Sequence, residues 1–155
     1  MRAEMVVSYV RDLIEQVTGE RPKPDQDGDL PVRHLGADFY VRIIGDDPVV
    51  QVFAVAVAEL VASPELFGAL NDVNRRLQFA RIFHVADQVL IEHEIWGTDI
   101  NPQNLEYACR TVAQAVDHFG RQLSETFGGR ARFEESKTED YSSAEGSTPG
   151  HGMYL

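Results

Sequence analysis

His84, Glu92, His93 and Glu94 are the residues whose types and spacing come nearest to a metal site. Imidazoles and carboxylates bind zinc or a similar ion when three or four of them converge on one point. Here they sit on two apolar-rich segments, Phe79 to Val85 and Val89 to Trp96, that flank Ala86-Asp87-Gln88 and read as a hairpin. A turn at Asp87-Gln88 sets His84 and His93 diagonally on one sheet face and sends Glu92 and Glu94 to the other. Neither His-Glu-x-x-His nor a Cys/His zinc spacing occurs, so the expectation is no metal and two partly buried or rim histidines. Arg81 and Glu94 are placed to form an ion pair across the same hairpin.

The other reactive candidates also read as structural. Cys109 lies beside Ala108 and Val112 on an apolar stripe, where a thiol packs as a small hydrophobe. No Gly-x-Ser-x-Gly, phosphate-cradling glycine loop or dinucleotide fingerprint is present, and Gly128-Gly129 follows a helical stretch where a phosphate loop would precede one. No catalytic residue and no cofactor is therefore expected. Asn71 and Asn74 share one side of a helical segment, and if partly buried they must find partners, which points to fixing that helix end against the following strand. A small-ligand pocket near Trp96, Asn71 and Asn74 is the alternative from another functional class, and a His84/Glu92/His93 enzyme is the third.

The whole chain restricts the partners further. It has 155 residues, 43% of them hydrophobic, enough for one domain with a real core. A formal charge of -11 argues against nucleic acid, whose phosphates are held by clustered Lys and Arg. One cysteine cannot build a disulfide framework, and the start Met1-Arg2-Ala3-Glu4-Met5-Val6 lacks the pattern of a secretory signal, so a cytoplasmic setting is expected. The most apolar stretch, Val49 to Ala62, contains Gln51 and Glu59 and is shorter than the roughly 20 residues of a membrane helix.

The elements that position these residues follow from periodicity. Val6, Val7, Val10, Leu13, Ile14 and Val17 recur at helical steps within Glu4 to Val17. Between Leu30 and Leu60 the period falls to two, in three segments parted by Gly36-Ala37-Asp38 and Gly45-Asp46-Asp47-Pro48. The third segment, Val49 to Val57, is apolar on both faces and should be covered on both sides, by helices on one. Ser63-Pro64-Glu65 opens a second helix running to about Leu77, and Asn101-Pro102 opens a third that Gly128-Gly129 ends. The expected fold is thus α+β, in the order α-β-β-β-α-β-β-α, with a curved antiparallel sheet packed against helices. The domain spans residues 1–129, and the Glu-, Ser- and Gly-rich residues 130–155 read as a flexible acidic and polar tail.

That element order, together with Leu70-Asn71-Asp72-Val73-Asn74-Arg75-Arg76-Leu77-Gln78-Phe79-Ala80-Arg81 and the hairpin strand Val89-Leu90-Ile91-Glu92, resembles the type III secretion chaperone-like family and its YbjN-type relatives. The likeness lies in a Leu-Asn-x-x-Asn helix running into an aromatic-bearing strand, with Asn71, Asn74 and Arg81 as the motif residues. It implies a homodimer that binds an extended protein or peptide client on its sheet and helix surfaces without catalysis. Strand alternation and the doubly apolar third strand then nominate Phe39, Val41, Phe53, Val55 and Val57 as client or dimer contacts.

Overall fold

The computed structural model describes residues 3–131. Its elements are α1 (Ala3–Thr18), β1 (Leu30–His34), β2 (Ala37–Ile44), β3 (Val49–Ala58), α2 (Pro64–Asn74), β4 (Ala80–Val85), β5 (Gln88–Trp96), α3 (Pro102–Phe127) and β6 (Arg130–Ala131). The strands form one antiparallel, unclosed sheet in the order β1-β2-β3-β5-β4, with β6 added to the end of β3. The order is the one expected from periodicity, with a two-residue strand added. Arg130 and Ala131, read as the start of the tail, pair with Ala58 and Val57. The rest of the expected tail lies outside the described residues.

Local chemistry sets where the helices begin. Ser63 caps α2, its hydroxyl accepting the Leu66 N–H at 3.1 Å, with Pro64 at the first helical position. Asn101 caps α3 reciprocally: its side chain accepts from the N–H groups of Gln103 and Asn104, and the Asn104 side chain accepts from the Asn101 N–H. Helix α2 stops at Asn74, earlier than Leu77, and the Asn74 side chain there bonds the sheet. Its amide donates to the Ile82 carbonyl at 2.9 Å and accepts the Ile82 N–H at 2.8 Å. Strand β4 is an edge strand, so this one side chain stands in for a missing neighbour at Ile82. Asn71 is exposed, leaving Asn74 as the member of the pair that ties α2 to β4. Replacing Asn74 with Ala is expected to lower stability by about 1–2 kcal/mol through those two lost bonds, measured by urea unfolding.

The core lies on one side of the sheet. Val50, Val52, Ala54 and Ala56 of β3, Phe39 and Val41 of β2, and Val89 and Ile91 of β5 pack there against Val6, Val10 and Ile14 of α1 and Leu105, Ala108 and Val112 of α3. Gly120 lets α3 approach the sheet closely, since a Cβ there would lie 2.9 Å from the Ala56 carbonyl oxygen. Among the described residues, the opposite side of the sheet carries no helix. Half of the expectation for β3, helices over one face, is met, and among the described residues nothing covers its other apolar face.

An open sheet face divided by a polar belt

The side chains on that uncovered face follow from strand register. Tyr40, Phe53, Glu92 and Arg81 lie side by side across β2, β3, β5 and β4. One step toward the β2–β3 turn, Arg42, Gln51 and Glu94 form the next row, and beyond them Ile44, Val49 and Trp96 form a third. In the other direction Val55, Leu90 and Phe83 share a row. The apolar members are half-buried or exposed, with Trp96 at 56% and Ile44 at 39%.

Two guanidinium groups organise this surface. Arg42 binds Asp29 through both its Nε, at 2.6 Å, and its terminal nitrogen, at 2.5 Å. It also lies 5.0 Å over the Phe53 ring, which in turn stacks on Tyr40 at 5.6 Å. Asp29 is buried, and the paired arginine is what permits a carboxylate there; in return Asp29 raises the Arg42 pKa. Arg81 bridges Glu92 and Glu94 and lies 5.5 Å over Phe83. Gln51 donates to Glu94 at 2.7 Å, completing a polar belt across the sheet from Arg42 to Arg81.

The candidate residues separate on this geometry. Phe53 and Val55 lie together on the open face. Phe39 and Val41 are 0% exposed on the helix-covered face and are corrected out of the candidate surface. Their neighbours in sequence, Tyr40 and Arg42, are the ones that point outward. Val57 is also buried: an irregularity between Val55 and Val57 opposite β5 reverses the alternation and turns Val57 to the core side, beside Val89. Tyr40, Ile44, Val49, Phe83, Leu90 and Trp96, outside the five residues nominated from the sequence, complete this face. The signal lies in exposed Arg42 of β2 and Glu94 of β5, which mark the parity that meets solvent, while Gln51 and Glu92 share that parity but are buried in the belt.

The hairpin is shifted from its expected register. The turn is Ala86-Asp87, both with positive φ (48° and 55°), the geometry of a type I′ turn, although neither residue is the usual Asn or Gly. Arg81 therefore faces Glu92 directly and reaches Glu94 on the diagonal, an ion pair with two partners in place of one. His84 and His93 share the core-side parity but sit opposite Val89 and Ala80, four residues apart along the strands, so they do not meet diagonally. His84 bonds the Leu60 carbonyl through Nε2 at 2.6 Å. Cys109 is buried in α3, and burial pushes its thiol up to about 12, far from a reactive thiolate. Trp96 stands on the open face while Asn74 binds the outer edge of β4, so the structure does not gather Trp96, Asn71 and Asn74 into one pocket.

His93 carries a pH consequence. It is 6% exposed between Phe79 (6.3 Å) and Tyr107 (5.8 Å), and burial lowers its pKa below 6.5, with Glu94 opposing in part. As pH falls through about 6.5 the unfolded chain takes up this proton first, so His93 costs stability from there down to its folded pKa and nothing above pH 7.5. Thermal midpoints measured between pH 7.5 and 5 are expected to fall more steeply for the native chain than for His93→Phe.

The family model described as T3SS (YopN, CesT) and YbjN peptide-binding chaperone 1 matches residues 4–135. None of the curated proteins matches. Among solved structures, the ExsC-ExsE complex superposes with a TM-score of 0.62 at 14% identity, covering 75% of this chain and 94% of that one. The Yersinia pestis type III secretion chaperone SycH, solved with a stable fragment of YscM2, gives 0.52 at 15% identity over 70% and 97% of the two chains. The heterodimeric ExoU-SpcU complex of the Pseudomonas aeruginosa type III secretion system gives 0.50 at 11% identity over 76% and 97%. At these identities the likeness is one of fold.

Proposed function

The chain belongs to the family of type III secretion (YopN, CesT) and YbjN peptide-binding chaperones, and from that premise we propose that it captures an extended segment of a client protein on the open face of its sheet. The observation that carries the reading is the open side of β3 and its neighbours, where Tyr40, Phe53, Val55, Phe83, Leu90 and Trp96 offer apolar surface that no described element covers. A client laid on it gains roughly 25 cal/mol for each Å² of apolar area removed from water, less the cost of ordering itself. The three solved structures are complexes between proteins, one of them of a type III secretion chaperone, which supports a protein client here.

The protein works as a homodimer and performs no catalysis. Phe67 and Phe79, both exposed, contact His84 and His93 on the helix side near the edge strand β4 and supply a surface for a second copy, apart from the client face. The absence of catalytic motifs in the sequence and the buried, weakly acidic Cys109 support a binding role. No described helix is long and apolar enough to cross a membrane, and the single free cysteine fits a cytoplasmic setting.

Two measurements test this. An immobilised array of unrelated extended peptides should yield micromolar binders, and sedimentation equilibrium should give twice the 17.3 kDa chain mass. Absence of any peptide binding contradicts the client role, and a monomer contradicts the dimer alone.

A further inference from the structure

The belt that divides the open face makes demands on what can lie across it. Residues Val49 and Phe53 are four apart on β3, about 13 Å along the strand. Val49 belongs to the apolar row with Ile44 and Trp96, and Phe53 to the next apolar region, while Gln51 and Glu94 occupy the step between. An extended peptide running along β3 presents same-side chains at i, i+2 and i+4 with the same spacing. Its i and i+4 side chains then meet the two apolar regions, and its i+2 side chain meets the belt.

The belt is unbalanced in charge. Arg42 is matched by Asp29, whereas among the described residues one cation, Arg81, serves both Glu92 and Glu94. Both Arg81 and Gln51 reach Glu94 through Oε1, and the Glu94 side chain is 43% exposed, so Oε2 is presented to an incoming donor. Asp46 and Asp47, in the turn between β2 and β3, add negative charge beside the Ile44–Val49 row. An acidic or neutral apolar residue at i+2 would oppose or desolvate this carboxylate, and a cation would pair with it.

Resting on the client-binding reading above, we infer that the open face selects extended segments with apolar residues at i and i+4 and a Lys or Arg at i+2. The apolar anchors supply burial, one of them against Trp96, and the cation completes the Glu94 pair. Neither Phe39 nor Val41 takes part, since both face the helices.

Trp96 is the sole tryptophan of the chain, so its emission reports directly on one anchor position. Three nine-residue Gly/Ser-framed peptides are titrated: Leu-Ser-Lys-Ser-Leu, its Asp-centred counterpart, and a version with the second Leu moved to i+3. The Lys-centred peptide should shift Trp96 emission to the blue and bind about tenfold or more tighter than either control, because i+3 faces away from the sheet and Asp meets Glu94. In Glu94→Gln, followed by polarisation of labelled peptides, the preference for Lys over Asp should shrink to within about twofold. Equal binding of the Lys and Asp peptides to the native chain, or of the i+3 and i+4 peptides, overturns the inference. If none of the three binds while array-selected peptides do, this inference fails and the client-binding reading stands. If no peptide of either kind binds, both fail.

Discussion

A Val55→Asp variant is expected to fold, to keep its oligomeric state and to lose its client. Val55 stands half-buried on the uncovered face, beside Leu90 and two residues from Phe53. In the free protein an aspartate there stays in contact with water, so the change costs the fold only about 1 kcal/mol of strand preference and packing. In the complex the same carboxylate would be trapped under the client without a cation opposite it. Lost apolar burial and an uncompensated charge together amount to about 3 kcal/mol or more, a loss in affinity on the order of 100-fold. Calorimetric titration of an array-selected peptide checks the affinity, and far-ultraviolet circular dichroism with sedimentation checks that fold and mass are unchanged.

The same substitution three residues earlier should have the opposite outcome. Val52 is 0% exposed, paired with Val41 and His93 on the core side beneath the helices. An aspartate there has neither water nor a cation, and the closest ring, His93, is itself held neutral by burial. The expected destabilisation exceeds about 4 kcal/mol, a large part of the 5–15 kcal/mol available to a domain of this size. Val52→Asp should therefore lack a cooperative unfolding transition in urea, whereas Val55→Asp should retain one. The contrast separates the two faces of a single strand: one holds the protein together and the other meets its client.

How far the sequence reveals this arrangement depends on the strand. The helices are legible because their signals are local: Ser63-Pro64 and Asn101-Pro102 act as caps in the structure, and the apolar stripes of α1 and α3 are the buried ones. The order of strands is legible from period-two runs between turn residues. The orientation of β2 is also encoded, but only if Arg42 is given more weight than the aromatic Phe39, since a lone arginine cannot face three helices. Tyr40 and Ile44 share its parity and go with it to the open side.

Two features are not written locally. Val57 turns inward because of a single irregularity opposite β5, a property of the pairing that the alternation of β3 alone does not carry. The β4–β5 turn falls at Ala86-Asp87, whose positive φ values neither residue type prefers, so long-range pairing of β5 with β3 decides the register over turn chemistry. That shift changes which carboxylate faces Arg81 and thereby sets the charge of the belt. The Asn74 bonds to Ile82 lie between these cases, since the residue type suggested a tie to the following strand and only the fold shows which backbone groups receive it.

Capture of a client segment on the open face of the sheet has a direct structural signature. Methyl-labelled protein bound to an array-selected peptide tests it most directly, through intermolecular nuclear Overhauser effects. Contacts to the methyl groups of Ile44, Val55 and Leu90, with none to Val52 or Leu105, are the predicted result. Contacts confined to α1 or α3, with those three methyl groups unaffected, would place the client on the helices and rule out capture by the open face.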